Sequence, residues 1–544
     1  MITDIEQLPD HAVLQADICI VGAGAAGLLI AREFLGTATQ VILLESGGLG
    51  AEDATQALSA GEVSEGAFRG LQAGRSRVLG GTTTLWGGQC IPLDPIDLAE
   101  RPWVPFSGWP IGPDELAPFY ERAKQHLRIE QDEYDQPVWE RFGLGSLVLD
   151  RAKLQAVHGV FIRQPDLGRR FREEIRAADN VRVLLHANVR SIETDASGVQ
   201  VSRVAFCSLG GRRGSVAARR VVLCAGAIEN ARLLLLSDSK HPNGLGNDRD
   251  LVGRFLQDHP CGRTATIETT DPRRLQDRFN LLYGKRANYL PKLALSEAVQ
   301  REQKVLNCVA RLEYEYEADS GMQAVRDLME AARGRRWPKG LGGTLARLGR
   351  GSPALAGDAW RVLAKGLSPA PRPRRIHLEV FSEQTPQPDS RVVLGRGTDA
   401  LGLRKVLVDW RLDDLTWRTF GVFSRTVRDE FARLGLGEVR LLDWLDAEVP
   451  PRSAVVDSYH PAGTTRMARH AAGGVVDINS QVFGVQGLYV TGSSVFPTSG
   501  AANPTFTIAA MALRLAARLK SEIATRNVVT VQQWPARAEA TGAG

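Results

Sequence analysis

Two polar residues near the C-terminal end stand in segments without hydrophobic periodicity, and both carry side chains suited to handling an oxygen and its proton. His460 follows Tyr459 and precedes Pro461, Ala462 and Gly463; Asn503, 43 positions later, follows Gly500, Ala501 and Ala502 and precedes Pro504 and Thr505. An imidazole with an ordinary pKa near 6.5 is largely neutral at pH 7 and can accept a proton, whereas an amide can only donate to an oxygen and orient it. Taken singly, each has a plainer explanation. A lone histidine is usually a packing residue, and Asn503 before Pro504 reads as an N-cap with Pro at N1 of a helix over 506–519. The run Gln257, Asp258, His259, Pro260 reads as a buried polar junction between domains in preference to a second acid–base site. His470 has no carboxylate or cysteine companion at metal-ligand spacing, so no metal is assigned.

The elements that must position these residues begin at the other end of the chain. Residues 17–21 form a short apolar run typical of a buried parallel strand, and Gly22, Ala23, Gly24, Ala25, Ala26 and Gly27 follow at once, opening a helical pattern over 28–35. In this setting Gly22 permits a tight turn, Gly24 admits a pyrophosphate close to the backbone, and Gly27 lets helix pack on strand. A second strand over 40–45 ends in Glu45, 23 positions after Gly22, where a ribose hydroxyl needs an acceptor. An adenine dinucleotide is the reading, with NAD and FAD both open at this point. Residues 78–89, rich in Gly and Thr, are too irregular for helix or strand, and 220–230 give a further strand stopping at Ala225 and Gly226 before a helix over 230–236. Residues 487–497 run from strand into loop through Gly492 and Ser493.

Composition bounds the remaining choices. With 544 residues, 43% hydrophobic and 24% charged, the chain is long enough for two to four domains and has an ordinary globular balance. Six scattered cysteines suggest reduced core thiols. The first 31 residues hold no Lys or Arg, so the expected setting is cytoplasmic. Net charge is only +5, yet residues 331–375 hold eleven Lys and Arg against the single acid Asp358, which is not the footprint of a nucleic-acid-binding protein. That stretch falls in an insertion over about 319–375, with helical segments expected at 322–333, 341–348 and 354–367. It reads either as a solvated lid or subunit contact, or as a basic amphipathic surface, with Trp337, Trp360 and Leu363 among its apolar residues, that meets anionic lipid or a phosphorylated carrier.

Together and in this order, the motifs resemble the glucose–methanol–choline (GMC) oxidoreductase family. The carriers are the 22–27 run, Leu44 to Gly48, the 80–88 loop, Val222 to Gly226, residues 252–260, and the His460 and Asn503 segments. The loop Thr83, Thr84, Leu85, Trp86 looks closest to the pyranose oxidase-like, sugar-oxidising members. The resemblance implies an α/β fold with a Rossmann-like FAD-binding domain built from 1–100, 180–262 and 452–544. An α+β substrate domain on a large antiparallel sheet would take 101–179 and 263–451. It implies FAD held by Gly22, Gly24, Ala26, Gly27, Glu45, Ser46, Gly80, Gly81, Thr82, Thr83, Trp86, Gly87, Ala225, Gly226, Gly492, Ser493, Asn503, Pro504 and Thr505. In members with covalent flavin a histidine stands directly before the loop tryptophan; Leu85 occupies that position here, so non-covalent FAD is expected.

The reaction that the resemblance implies is oxidation of an alcohol CH–OH on a sugar, glycoside or cyclitol-like molecule by hydride transfer to the flavin. Loss of hydride requires loss of the hydroxyl proton, so a base must sit within about 2.6–3.2 Å of that oxygen. His460 fits as that base and Asn503 as the donor that orients the substrate. The same family includes redox-neutral lyases, and a partner-docking subunit is the third class; oxygen, quinone and protein all stay open as electron acceptor, as does the oligomeric state. The resemblance places the 257–260 segment near the cofactor entrance, away from the reacting carbon.

Overall fold

The computed structural model describes residues 1–64, 68–130, 134, 137–145, 147–317 and 357–532. The helices expected at 322–333 and 341–348, Trp337, and the start of the one at 354–367 lie outside these residues. The fold is the expected α/β architecture, and its centre is a six-stranded parallel sheet in the order Ile2–Asp4, Val181–Leu185, Val41–Leu44, Ile18–Val21, Val221–Leu223, Leu488–Val490. Strand residues alternate between faces: Ile18 and Ile20 enter one apolar cluster, Cys19 and Val21 the other. Both faces are covered, which is why these strands read as unbroken apolar runs without polar alternation. Each fully buried Ile, Leu or Val contributes about 1.5–3 kcal/mol relative to an exposed one. The strand order places Ile18–Val21 and Val221–Leu223 side by side, so that Gly22 and Ala225 end up adjacent at their carboxyl ends.

A second layer is an eight-stranded antiparallel sheet running Glu438–Leu441, Cys261–Glu268, Arg375–Ser382, Cys308–Glu315, Asn288–Leu295, Leu154–Phe161, Gln89–Cys90, with Leu282–Tyr283 paired to Asn288–Leu295. A four-stranded sheet (Ala12–Ala16, Arg213–Ala218, Val201–Cys207, Asn188–Thr194) and a three-stranded one (Arg391–Thr398, Arg404–Asp409, Glu62–Val63) complete the set among the described residues.

Two elements make their contacts across the expected domain limits, with partners remote in sequence. Gln89–Cys90, expected in the nucleotide domain, pairs into the large sheet. Helix Pro113–Leu127, expected in the substrate domain, packs on the C-terminal helix Thr505–Gln532, which in turn packs on the fingerprint helix Ala25–Glu33. The 78–89 segment is not wholly irregular: Gly81–Thr84 makes a 3-10 turn. In the part of the basic insertion that is described, Arg361–Lys365 forms a π turn with Trp360 and Leu363 exposed, and the Lys365 ammonium lies 4.9 Å from the Trp360 ring centroid. No helix among the described residues is long and apolar enough to cross a membrane.

Candidate active site

A cavity of about 420 Å³ runs from the fingerprint turn to His460. At its nucleotide end, Gly22 has φ +98°, and a Cβ there would stand 2.8 Å from the Cys224 carbonyl oxygen; a Cβ on Gly27 would stand 2.0 Å from the Gly22 carbonyl oxygen. Both positions therefore admit only glycine, one for its turn and one for close helix–strand contact. The 78–89 loop lies on this turn, with Gly80 N donating to Ala23 O at 2.9 Å. Thr83 Oγ1 donates to Gly80 O at 2.6 Å and Trp86 Nε1 to Pro165 O at 2.8 Å. Glu45 is 4% exposed; its oxygens accept from Ala23 N and Gly47 N, both at 2.9 Å, and burial raises its pKa against those bonds.

All the expected cofactor residues line the cavity except Gly27 and Gly80, which act from behind it through packing. The fit to a large planar dinucleotide is testable on the glycines. At Gly24, Gly226 and Gly492, all in the lining, a Cβ would meet no atom of the described residues within 4 Å, so the backbone there opens directly onto the cavity. Asn230 ties two strand ends of this wall together, accepting from Ala225 N at 2.8 Å and donating to Thr491 O at 3.3 Å and Ser494 Oγ at 2.9 Å.

At the other end His460 Nε2 lies 3.3 Å from Asn503 Nδ2, which brings the two candidates together. Tyr459 has φ +64°, a left-handed conformation uncommon for an aromatic residue, and this turn delivers the His460 ring to the cavity wall. Asp258 clamps the turn: its carboxylate accepts from His460 N and Ser458 N at 3.0 Å and from His259 N at 2.7 Å. Burial pushes the Asp258 carboxyl up to about 7, and the backbone N–H donors oppose that rise. His259 Nδ1 is 3.1 Å from His460 Nδ1. Burial lowers His259 to about 4 and His460 well below the usual imidazole value, with the charges of His259 and Lys292 adding to the effect at His460.

Two expectations are corrected here. The 257–260 segment is buried and polar, as expected, but it is in direct contact with His460 and does not stand apart at a cofactor entrance. Asn503 does not cap the C-terminal helix. The helix begins at Thr505, Ile508 N donates to Pro504 O, and the Asn503 side chain instead contacts His460 and Lys292.

Sequence reading also missed Lys292 and Gln89. The Lys292 ammonium donates to Gln89 Oε1 at 3.0 Å and Asn503 Oδ1 at 3.2 Å, and burial brings its pKa down to about 8. A lysine in the middle of the mostly apolar strand Asn288–Leu295 was the available signal. A further missed group lines the cavity beside the 399–403 loop. Burial would raise the Glu229 carboxyl, but Arg77, Arg232 and Arg75 hold it down to about 2. Among the described residues no His, Cys, Asp and Glu cluster could hold a metal ion.

A family model described as "GMC oxidoreductase" matches residues 386–512, and one described as "FAD dependent oxidoreductase" matches 17–242. Among curated proteins, C-glycoside 3-oxidase of Arthrobacter globiformis is 28% identical over 304 residues, which span 51% of this chain and 53% of that relative. The 6'''-hydroxyparomomycin C oxidase of Streptomyces lividus is 23% identical over 568 residues, 93% of this chain and 92% of the relative. Among solved structures, pyridoxine 4-oxidase from Mesorbium loti shares the fold with a TM-score of 0.54 at 19% identity, covering 93% of this chain and 99% of that one.

Proposed function

Because this chain belongs to the GMC oxidoreductases and its residues 17–242 match an FAD-dependent oxidoreductase model, we propose that it oxidises an alcohol CH–OH of a sugar, glycoside or cyclitol-like molecule, with FAD bound non-covalently. The observation that carries the reading is the pairing of His460 Nε2 with Asn503 Nδ2 at 3.3 Å on the wall of the cavity that starts at the dinucleotide fingerprint. The relatives named as oxidases of a C-glycoside and of hydroxyparomomycin support a sugar-like substrate. Leu85, exposed on the cavity wall directly before Trp86, offers no nucleophile for covalent attachment. A cytoplasmic setting belongs to the proposal and is supported by six free, buried cysteines.

FAD, when bound, supplies the hydride acceptor. Gly24 and the N-terminus of helix Ala25–Glu33 would hold its pyrophosphate, and Glu45 its ribose hydroxyls. The 81–87 loop and residues 503–505 would hold the ring. His460, neutral because it is desolvated, accepts the hydroxyl proton on Nε2. Asn503 Nδ2 donates to the same oxygen and fixes its distance from the base. Asp258 holds the histidine backbone in place while this happens.

The test has two parts. Acid precipitation should leave intact FAD in the supernatant; flavin in the washed pellet contradicts the non-covalent claim. The FAD-loaded protein should then be bleached anaerobically by at least one member of a panel of hexoses, C- and O-glycosides, aminoglycosides and inositols. A protein bleached by none of them contradicts alcohol oxidation and returns a redox-neutral reaction to the front.

A further inference from the structure

Lys292 lies behind Asn503, only 8% exposed, held by two neutral amides. An ammonium has donors and no acceptor. Each amide that touches it must turn its carbonyl oxygen toward Nζ and its NH2 away, which removes the two-fold ambiguity that an amide otherwise keeps. For Asn503 the NH2 then faces His460 Nε2, so Nε2 must accept. A neutral imidazole that accepts on Nε2 carries its proton on Nδ1, and Nδ1 here faces Ser458 Oγ at 3.2 Å and His259 Nδ1 at 3.1 Å. Only one proton fits between two nitrogens at that separation, so His259 accepts on its own Nδ1.

The second amide obeys the same constraint. Gln89 lines the cavity, and with its oxygen on Lys292 its Nε2 is buried with no hydrogen-bond partner among the described residues. Space for that NH2 exists because residue 159 is glycine: a Cβ there would stand 2.1 Å from Gln89 Nε2.

We infer that Lys292 is a positioning residue: by donating to the carbonyl oxygens of Asn503 and Gln89 it aims the Asn503 NH2 at His460 and holds His460 as the Nδ1–H tautomer, with Nε2 as the acceptor. This rests on the proposed reading of His460 as base, but its first test needs no substrate.

The test uses FAD-loaded protein selectively labelled with [15N]histidine, with His460→Gln identifying the His460 resonances. At neutral pH the wild-type spectrum should report His460 as Nδ1–H. Lys292→Met, similar in length but without a donor, frees Asn503 to turn over and should shift His460 to a mixture of tautomers; Lys292→Arg, which keeps donors, should restore the wild-type pattern. With a bleaching polyol, Lys292→Met should slow flavin reduction about ten-fold alone but less than about two-fold on top of Asn503→Ala, because the effect passes through that amide. A wild-type His460 found as Nε2–H, or a tautomer unchanged in Lys292→Met, overturns the inference. If Lys292→Met does not fold, the wild-type tautomer alone still decides. A protein whose flavin no polyol bleaches overturns the alcohol-oxidation reading while the tautomer result stands separately.

Discussion

Lowering the pH from 7.5 to 5.5 should barely slow reduction of the flavin, because the proposed base, His460, has a pKa that burial has pulled well below the usual value. An ordinary imidazole at about 6.5 would be roughly nine-tenths neutral at the upper pH and one-tenth neutral at the lower, a ten-fold loss of competent base. Here the His460 ring is desolvated and faces His259 and Lys292, while the Asp258 carboxyl, pushed up to about 7, holds the His460 backbone N–H and loses its negative charge across this range, which cannot raise the imidazole. The expected rate at pH 5.5 is therefore within about two-fold of that at 7.5. On the alkaline side Lys292 gives up its proton as pH rises through about 8, so a decline should begin there as the amide clamp loses its cation. Anaerobic stopped-flow of flavin bleaching at saturating polyol measures both limbs without interference from the electron acceptor. An acid limb centred near 6.5 with a ten-fold loss would mean that the site does not desolvate its base, and the assignment of a neutral buried His460 would fall.

Buried polar contacts lead to three further outcomes. Arg101 and Glu383 form a two-pronged ion pair at 2.6 and 2.7 Å with both side chains fully buried, so Glu383→Gln, which strands the guanidinium, should cost about 3–5 kcal/mol in denaturant unfolding; a loss below about 1 kcal/mol contradicts this. Both ring nitrogens of His158 are buried with no hydrogen-bond partner among the described residues, and burial lowers its pKa to about 4, so its protonation favours the unfolded chain. Stability present above pH 6.5 should be lost as pH falls toward 4, by about 3 kcal/mol, and His158→Phe should remove that part of the pH dependence; parallel stability curves for the two proteins would show the assignment wrong. Asn503→Asp places a carboxylate on Lys292 and deletes the NH2 donor, so thermal stability should hold or rise while flavin reduction falls about ten- to hundred-fold; unchanged reduction removes Asn503 from substrate orientation.

What the sequence disclosed was local. The strand Ile18–Val21, the turn at Gly22 and the helix Ala25–Glu33 are contiguous, and their apolar run and glycine spacing announce a dinucleotide site without reference to the rest of the chain. His460 and Asn503 were legible as residues with no periodic segment to explain them, but their contact spans 43 positions and shows only in the fold. Lys292 reaches partners 203 and 211 positions away, and Asp258 and His259 reach the His460 segment across about 200, which no local pattern encodes. The Asn-Pro pair misled because a cap and a site residue have the same local signature; the lysine on a different sheet decides which it is. The place of Gln89–Cys90 was hidden for a similar reason, since it is a two-residue strand defined only by its partner Leu154–Phe161.

Whether His460 takes the substrate proton in an FAD-dependent alcohol oxidation is decided by comparing anaerobic flavin reduction by one polyol in the wild type and in His460→Ala at equal FAD content. Bleaching is expected in the wild type, with a rate lower by about 10²–10⁴ in the variant, the range for a positioned acid–base group. Equal rates in the two proteins, with FAD bound in both, would remove His460 from the role of base.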